Sequence, residues 1–281
     1  MRRAVVVIVA AAIAALAGTA APGGGVATAG AQDSGIRPTP DRASTERRAA
    51  ARLARSIARK RKWVRRAAFS ALPPFSDPAA IARKRLGDFP RHGRSFAILS
   101  TGDAKDADDS NDAPDTSSSI GGPSVRGARD VTILRIELRV PRRANCLSFR
   151  FKFLSEEFPE FVDDQYNDGF VAELGTSDWT TFSKEDPRIE APNNFAVGSE
   201  GRLVTVNQQG DTSVAGEHSA GTTYDGATPV LRASTRVLPG RQLLYLSLFD
   251  QGDREYDSAV FVDNLVLARR SACQTGAVVE D

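Results

Sequence analysis

Histidine, cysteine and methionine are scarce in this chain: two, two and one among 281 residues. His92 and His218 fall short of the nitrogen and sulfur ligands that a zinc site needs. No GxSxG elbow accompanies them, so a Ser–His–Asp hydrolase lacks its nucleophile turn. The cysteines, Cys146 and Cys273, stand too far apart for a CxxC redox or metal motif. Beyond the first twenty residues no long apolar run occurs, so no transmembrane segment is expected in the mature chain.

The start of the chain is different. Arg2 and Arg3 precede an unbroken apolar run from Ala4 to Ala17, and Ala29-Gly30-Ala31 offers a cleavage signature before Gln32. This order predicts a secretory signal peptide over residues 1–31. The alternative is an uncleaved anchor, but the run is shorter than the roughly 20 residues of a spanning helix. Export places the two cysteines in an oxidising compartment, where Cys146 and Cys273 are expected to pair. They flank the strand-rich region.

Net charge is only +2, but its distribution is lopsided. Up to Arg94 there are 19 Lys/Arg and 5 Asp/Glu, a net of +14; from Ser95 onward 18 face 30, a net of −12. Residues 32–94 read as a basic linker, with 32–44 rich in Pro, Gly and Ser. Within it, TERRAAARLARSIARKRKWVRRAAFSA predicts a helix over 45–71 that Thr45 caps and Pro73-Pro74 ends. Such a helix suits a polyanion of the cell wall or anionic lipid, or it is a solvated pro-segment. Export argues against nucleic acid as its partner.

From residue 95 to 273 the pattern is β. LSFRFKFL puts Phe149, Phe151 and Phe153 on one face and Arg150 and Lys152 on the other, one face buried and one wet. Further strands are expected at 96–100, 131–140, 170–174, 203–206, 231–237, 243–249 and 259–267, with 274–281 as a tail. Short strands with turn-rich connections and no intervening long helix predict an all-β fold, an antiparallel β-sandwich of jelly-roll type. Strand order stays open.

Acidic residues gather where strands end. One cluster, SEEFPEFVDDQYND, follows the Phe-rich strand; another, DQGDREYDS, follows LLYLSLF; Asp263-Asn264 lies inside the last strand. Oxygen-rich loops of this kind fit calcium, and ion pairs or loop N–H bonds are the alternative. Asp106, Asp108, Ser110 and Asp112 have EF-hand spacing but lack its sixth-place Gly and twelfth-place Glu, so an acidic loop is expected there. Glycoside hydrolysis needs two carboxyls flanking one bond, and Glu156 and Glu157, adjacent on a strand, point to opposite faces.

Three segments carry a resemblance. FRFKFLSEEFPEFVDDQYNDGF, FAILSTGDA at 96–104 and DQGDREYDSAVFVDNLVL at 250–267 resemble, in order, the motifs of the choice-of-anchor L family of bacterial surface proteins. The resemblance implies an all-β domain on a secreted or surface-exposed protein and leaves its ligand undefined. Carried over by position, it marks Glu156, Glu157, Asn167, Asp168, Asp257, Asp263 and Asn264, the first six as a hypothetical calcium set. Phe158 replaces the family's usual Tyr, and KDADDSNDAPD replaces a short turn. No sorting motif is found after Ala272, which leaves two expectations: no anchor, or the basic segment in that role. The expected function is a non-enzymatic binding or adhesion module for an extracellular carbohydrate or protein ligand. The alternatives are a polysaccharide-active hydrolase or a structural surface-layer component.

Overall fold

The structure, a computed structural model, describes residues 36–38, 43–111, 117–207 and 213–281. The signal peptide expected over 1–31 lies outside the described residues, as does Asp112.

Along the chain come β1 (Ile36–Pro38), α1 (Ala43–Ile57), β2 (Val64–Ala71), β3 (Ala79–Ala82), β4 (Phe96–Ser100), β5 (Arg129–Val140), β6 (Cys146–Ser155) and β7 (Gly169–Leu174). Then follow β8 (Thr180–Thr181), β9 (Ile189–Glu190), β10 (Val204–Thr205), β11 (Gly226–Ala227), β12 (Leu231–Arg236), β13 (Gly240–Asp250), β14 (Ser258–Ala268) and β15 (Val279–Glu280). One sheet runs β1-β3-β4-β14-β6-β12-β15, with β11 also pairing β6; the facing sheet runs β10-β7-β13-β5-β2. All of these strand pairs are antiparallel. The fold is an antiparallel β-sandwich with one helix.

Period-2 patterning makes the core. Phe149, Phe151 and Phe153 of β6 and Val260 and Val262 of β14 meet Leu134, Ile136 and Leu138 of β5 and Leu244, Leu246 and Leu248 of β13. The outer faces are covered as well. Loop residues Leu86, Phe89 and Tyr224 pack on Phe96, Ile98, Leu154 and Phe261, while Trp179 stacks on Phe249 at 4.1 Å. The wet face expected beside the phenylalanines is therefore dry at Lys152. That side chain is 3% exposed and spends its charge on Asp88 at 2.8 Å and the His218 carbonyl at 2.6 Å.

The described residues from 43 to 94 are not a linker. The helix expected over 45–71 is α1 alone, ending at Ile57, and 64–71 is the edge strand β2. Ala50, Leu53, Ala54 and Ile57 recur on one helical face and are fully buried. They pack with Ala67 of β2 and with Ala79, Ile81, Ala97 and Leu99 of β3 and β4, so α1 plugs the open side between the two sheets. After Ile57 the chain is captured by β14, where the Arg59 N–H donates to the Leu265 carbonyl at 3.0 Å. The helix stops there rather than at the prolines.

The end of the chain is not a tail. β15 pairs β12, and the Asp281 carboxylate holds Arg150 and Arg91. Cys146 and Cys273 form the expected disulfide, with Cα atoms 5.6 Å apart. The pairing follows from register, since Cys146 faces Ala268 across the β6–β14 ladder.

Candidate functional site

β6 and β14 end together. Ser155 pairs with Ser258, their hydroxyls lie 2.9 Å apart, and the Glu156 N–H donates to the Asp257 carbonyl at 3.1 Å. The SEEF turn and the REYDS turn are therefore neighbours at one rim of the sandwich. The loop before β7 joins them. Asp168 is fully buried; it accepts from the Gln251 N–H at 3.0 Å and from the Ser258 hydroxyl at 2.7 Å.

Glu157 and Asp168 come together, with Asp250 added from the end of β13; all three are 1% exposed or less. Burial first, and then the facing carboxyls, raises Glu157 and Asp250 well above the ordinary carboxylate range. Burial pushes Asp168 up to about 7, against the bonds from Ser258 and Gln251 that favour its charge. Asp257 sits beside this group. It is raised to about 7 by burial, while the Ser118 hydroxyl at 2.6 Å and the Ser118 N–H at 3.1 Å hold it in place. Its carboxylate occupies the space that a side chain at residue 102 would fill: a Cβ on Gly102 lies 1.8 Å from Asp257 Oδ2. The Gly of TGDA is there for close approach. Asp130, raised to about 6 by burial, is partly compensated by Arg254 at 2.6 Å.

The other expected residues part from this group. Glu156, as strand alternation requires, leaves Glu157 and lies toward the buried Tyr224. Asp263 is five residues beyond Ser258 on the opposite face of β14. Its carboxylate accepts from the His92 N–H at 2.6 Å and from the Asn264 N–H, and Asn264 has φ +54 at a bulge. Asp263 and Asn264 thus shape the strand. Asn167 spends its amide on loops, donating to the Pro187 carbonyl at 2.9 Å and accepting from the Asn207 N–H at 3.1 Å. Asp250 belongs with the expected residues, although a carboxylate closing an apolar strand reads as the first residue of a loop.

Oxygen donors suit a hard cation. Among the described residues, however, no three His, Cys, Asp or Glu side chains are grouped as metal ligands. The best-formed surface clefts among the described residues are lined by other residues.

Above the carboxyls, the loops carry a half-buried aromatic group that the sequence reading did not single out. Phe161 lies 5.1 Å from Tyr166, edge-on, and 4.9 Å from Tyr256, ring centre to ring centre. Lys184 caps Tyr166 at 4.2 Å from its ring centre. Asn167, Asp168 and Gln251 stitch these loops to one another, Gln251 donating to the Ser183 carbonyl at 3.0 Å.

Fold and site together define a sandwich domain with a buried acidic rim under an aromatic surface. The choice-of-anchor L domain model matches residues 76–266, and the chain belongs to that family. The family implies a surface or secreted protein, which the disulfide fits. Among the described residues no helix is long and apolar enough to cross a membrane. No curated protein matches the chain. Two solved structures are similar at 10% identity. One is TmCBM61 in complex with beta-1,4-galactotriose, covering 73% of this chain and 88% of its own, TM-score 0.30. The other is the K2 cleaved adhesin domain of Lys-gingipain, covering 66% and 79%, TM-score 0.25. At those scores neither informs the choice of ligand.

Proposed function

We propose that this chain is an extracellular, non-catalytic binding module whose ligand-facing surface is the loop rim of Phe161, Tyr166 and Tyr256. The observation that carries this reading is the half-buried aromatic group itself, set on loops that Asn167, Asp168 and Gln251 tie to both sheets. Aromatic faces on a rigid base bind sugar rings or apolar side chains with little ordering cost. The buried carboxyls support the module rather than react: at 0–2% exposure Glu156, Glu157, Asp168 and Asp250 cannot flank a glycosidic bond.

The test is a glycan array and a panel of extracellular matrix proteins, probed with the full chain and with Tyr166→Ala and Phe161→Ala. Specific binding that either substitution weakens about tenfold, worth about 1.4 kcal/mol, with unchanged melting supports the rim. Hydrolysis of a bound glycan, or binding indifferent to both substitutions, overturns it.

Calcium is a second reading of the acidic rim. It is favoured by Asp250, whose buried carboxyl lies against that of Asp168, with Thr101 as its other hydrogen-bonding neighbour. In that reading a cation replaces the protons that neutralise the group at low pH. Melting at pH 8 with calcium and with EDTA decides: a rise of several degrees in calcium supports it, and superimposable curves remove it.

A further inference from the structure

The arginines between residues 47 and 66 do not form the surface of a lone helix. Because α1 is wedged between the sheets, each of its flanks faces a cleft to which other elements contribute. On one flank, Arg47 of α1, Arg65 and Arg66 of β2, Arg135 of β5 and Arg241 of β13 surround a cleft of about 380 Å³. On the other, Arg52 and Arg55 of α1 meet Arg61 and Arg83 around about 280 Å³. Among the described residues Glu137 is the one acidic side chain in either lining, and it pairs with Arg65 at 3.6 Å and Arg241 at 3.3 Å. Among the described residues the other seven arginines have no carboxylate partner in these clefts. Exposed guanidinium groups converging from three strands, α1 and the segments that follow α1 and β3 make a local positive field that draws an anion.

We propose that the two clefts form one binding face for an acidic polysaccharide, a linear glycan bearing carboxylate groups on successive sugars. Guanidinium forks take carboxylates in two-pronged pairs, and nine of them across two clefts match a repeating anion better than a single one. The cleft floors are small: Ala51, Ala67 and Ala68 in the first leave room for a sugar ring. Neither lining contains an aromatic ring, which removes the stacking platform of single-stranded nucleic acid. Leu53 and Ile57, the large apolar side chains of α1, are buried in the core, so the helix has none to insert into a bilayer. The face is distinct from the loop rim, whose aromatics line neither cleft, and it gives the basic segment a role in attachment.

The experiment measures binding of the full chain to alginate oligosaccharides at 50 and 200 mM NaCl. Dextran, inorganic polyphosphate, duplex DNA and vesicles of phosphatidylglycerol serve as rivals. The proposal expects alginate binding that weakens about tenfold with the added salt. It expects a further loss of about tenfold in Arg47→Gln/Arg135→Gln and in Arg52→Gln/Arg83→Gln, one pair per cleft. Arg188→Gln/Arg202→Gln, outside both clefts, and Tyr166→Ala on the rim should bind alginate as the parent does. Absence of alginate binding, equal binding by the cleft variants, or tighter binding of polyphosphate, DNA or vesicles overturns it. Failure here leaves the rim untouched, because the rim is read with Tyr166→Ala on a different ligand set.

Discussion

Asp168 and Asp250 lie together in the core, with no lysine or arginine bonded to either among the described residues, and that fixes how the domain responds to pH. Burial raises both above the unfolded carboxylate value, and Asp168 and Asp257 reach about 7. The folded chain therefore keeps protons that the unfolded chain releases from about pH 4. The sign follows: this stability is fully present below about pH 4 and is lost as pH rises through about 7. At roughly 1.4 kcal/mol per pKa unit, a fully buried group shifted by about three units is worth on the order of 4 kcal/mol. Urea unfolding should show greater stability at pH 5 than at pH 8, and Asp250→Asn should flatten the difference by stabilising the pH 8 state. Equal stability at both pH values in the parent chain would remove the account of carboxyls that stay protonated in the folded state. A steric prediction belongs at this scale too. Gly102→Ala drives a methyl into the Asp257 carboxylate that Ser118 holds, and should cost about 3 kcal/mol by the same measurement. The residue pattern made much of this legible. SEE, NDG and YDS each border a strand that the sequence shows, and they meet at one rim because β6 and β14 are neighbours, which the sequence left open. The placing of Asp263 was not legible, because a bulge and a hydrogen bond from distant His92 explain its burial.

At the level of elements, the longer strands between residues 96 and 267 were readable from alternation or from short apolar runs between turns, whereas the two-residue strands β8, β9 and β11 carry too few residues to show a pattern. The first third was not. β2 is an edge strand with register shifts at Arg66 and Ala71, so its alternation is broken. Its Ala and Arg residues favour a helix as readily as a strand. What decides the conformation is tertiary: Trp63, Val64 and Ala67 are buried against β5 and the core, and no local signal reports that. The consequence is that α1 is structural. Leu53→Ala, at a fully buried position in the plug, should lower unfolding free energy by about 2–5 kcal/mol. Arg48→Ala, exposed on the same helix, should change it by less than about 0.5 kcal/mol. If Leu53→Ala were as mild as Arg48→Ala, α1 would be an appendage and the sandwich would close without it.

At the scale of the whole sandwich, β6 connects two ends. Its last residue, Ser155, bonds into the carboxyl rim; its first, Cys146, is tied to Cys273 beyond β14. The basic and acidic halves of the sequence are reconciled in this frame, with arginines displayed around the helical plug and carboxyls drawn beneath the rim loops. The disulfide closes a loop of 127 residues that contains four strands of one sheet and three of the other. In the chain-entropy description, closing a loop of that length restricts the unfolded chain by about 5 kcal/mol. Cys146→Ala/Cys273→Ala should therefore lose several kcal/mol in urea unfolding. Because the bond acts on the unfolded ensemble and sits at the far end of β6 from Asp168, the loss should be the same at pH 5 and pH 8. A loss much larger at pH 8 would mean that releasing one end of the strand disturbs proton binding at the other. The rim would then be held by the length of β6 rather than by its own network of serines and backbone N–H groups.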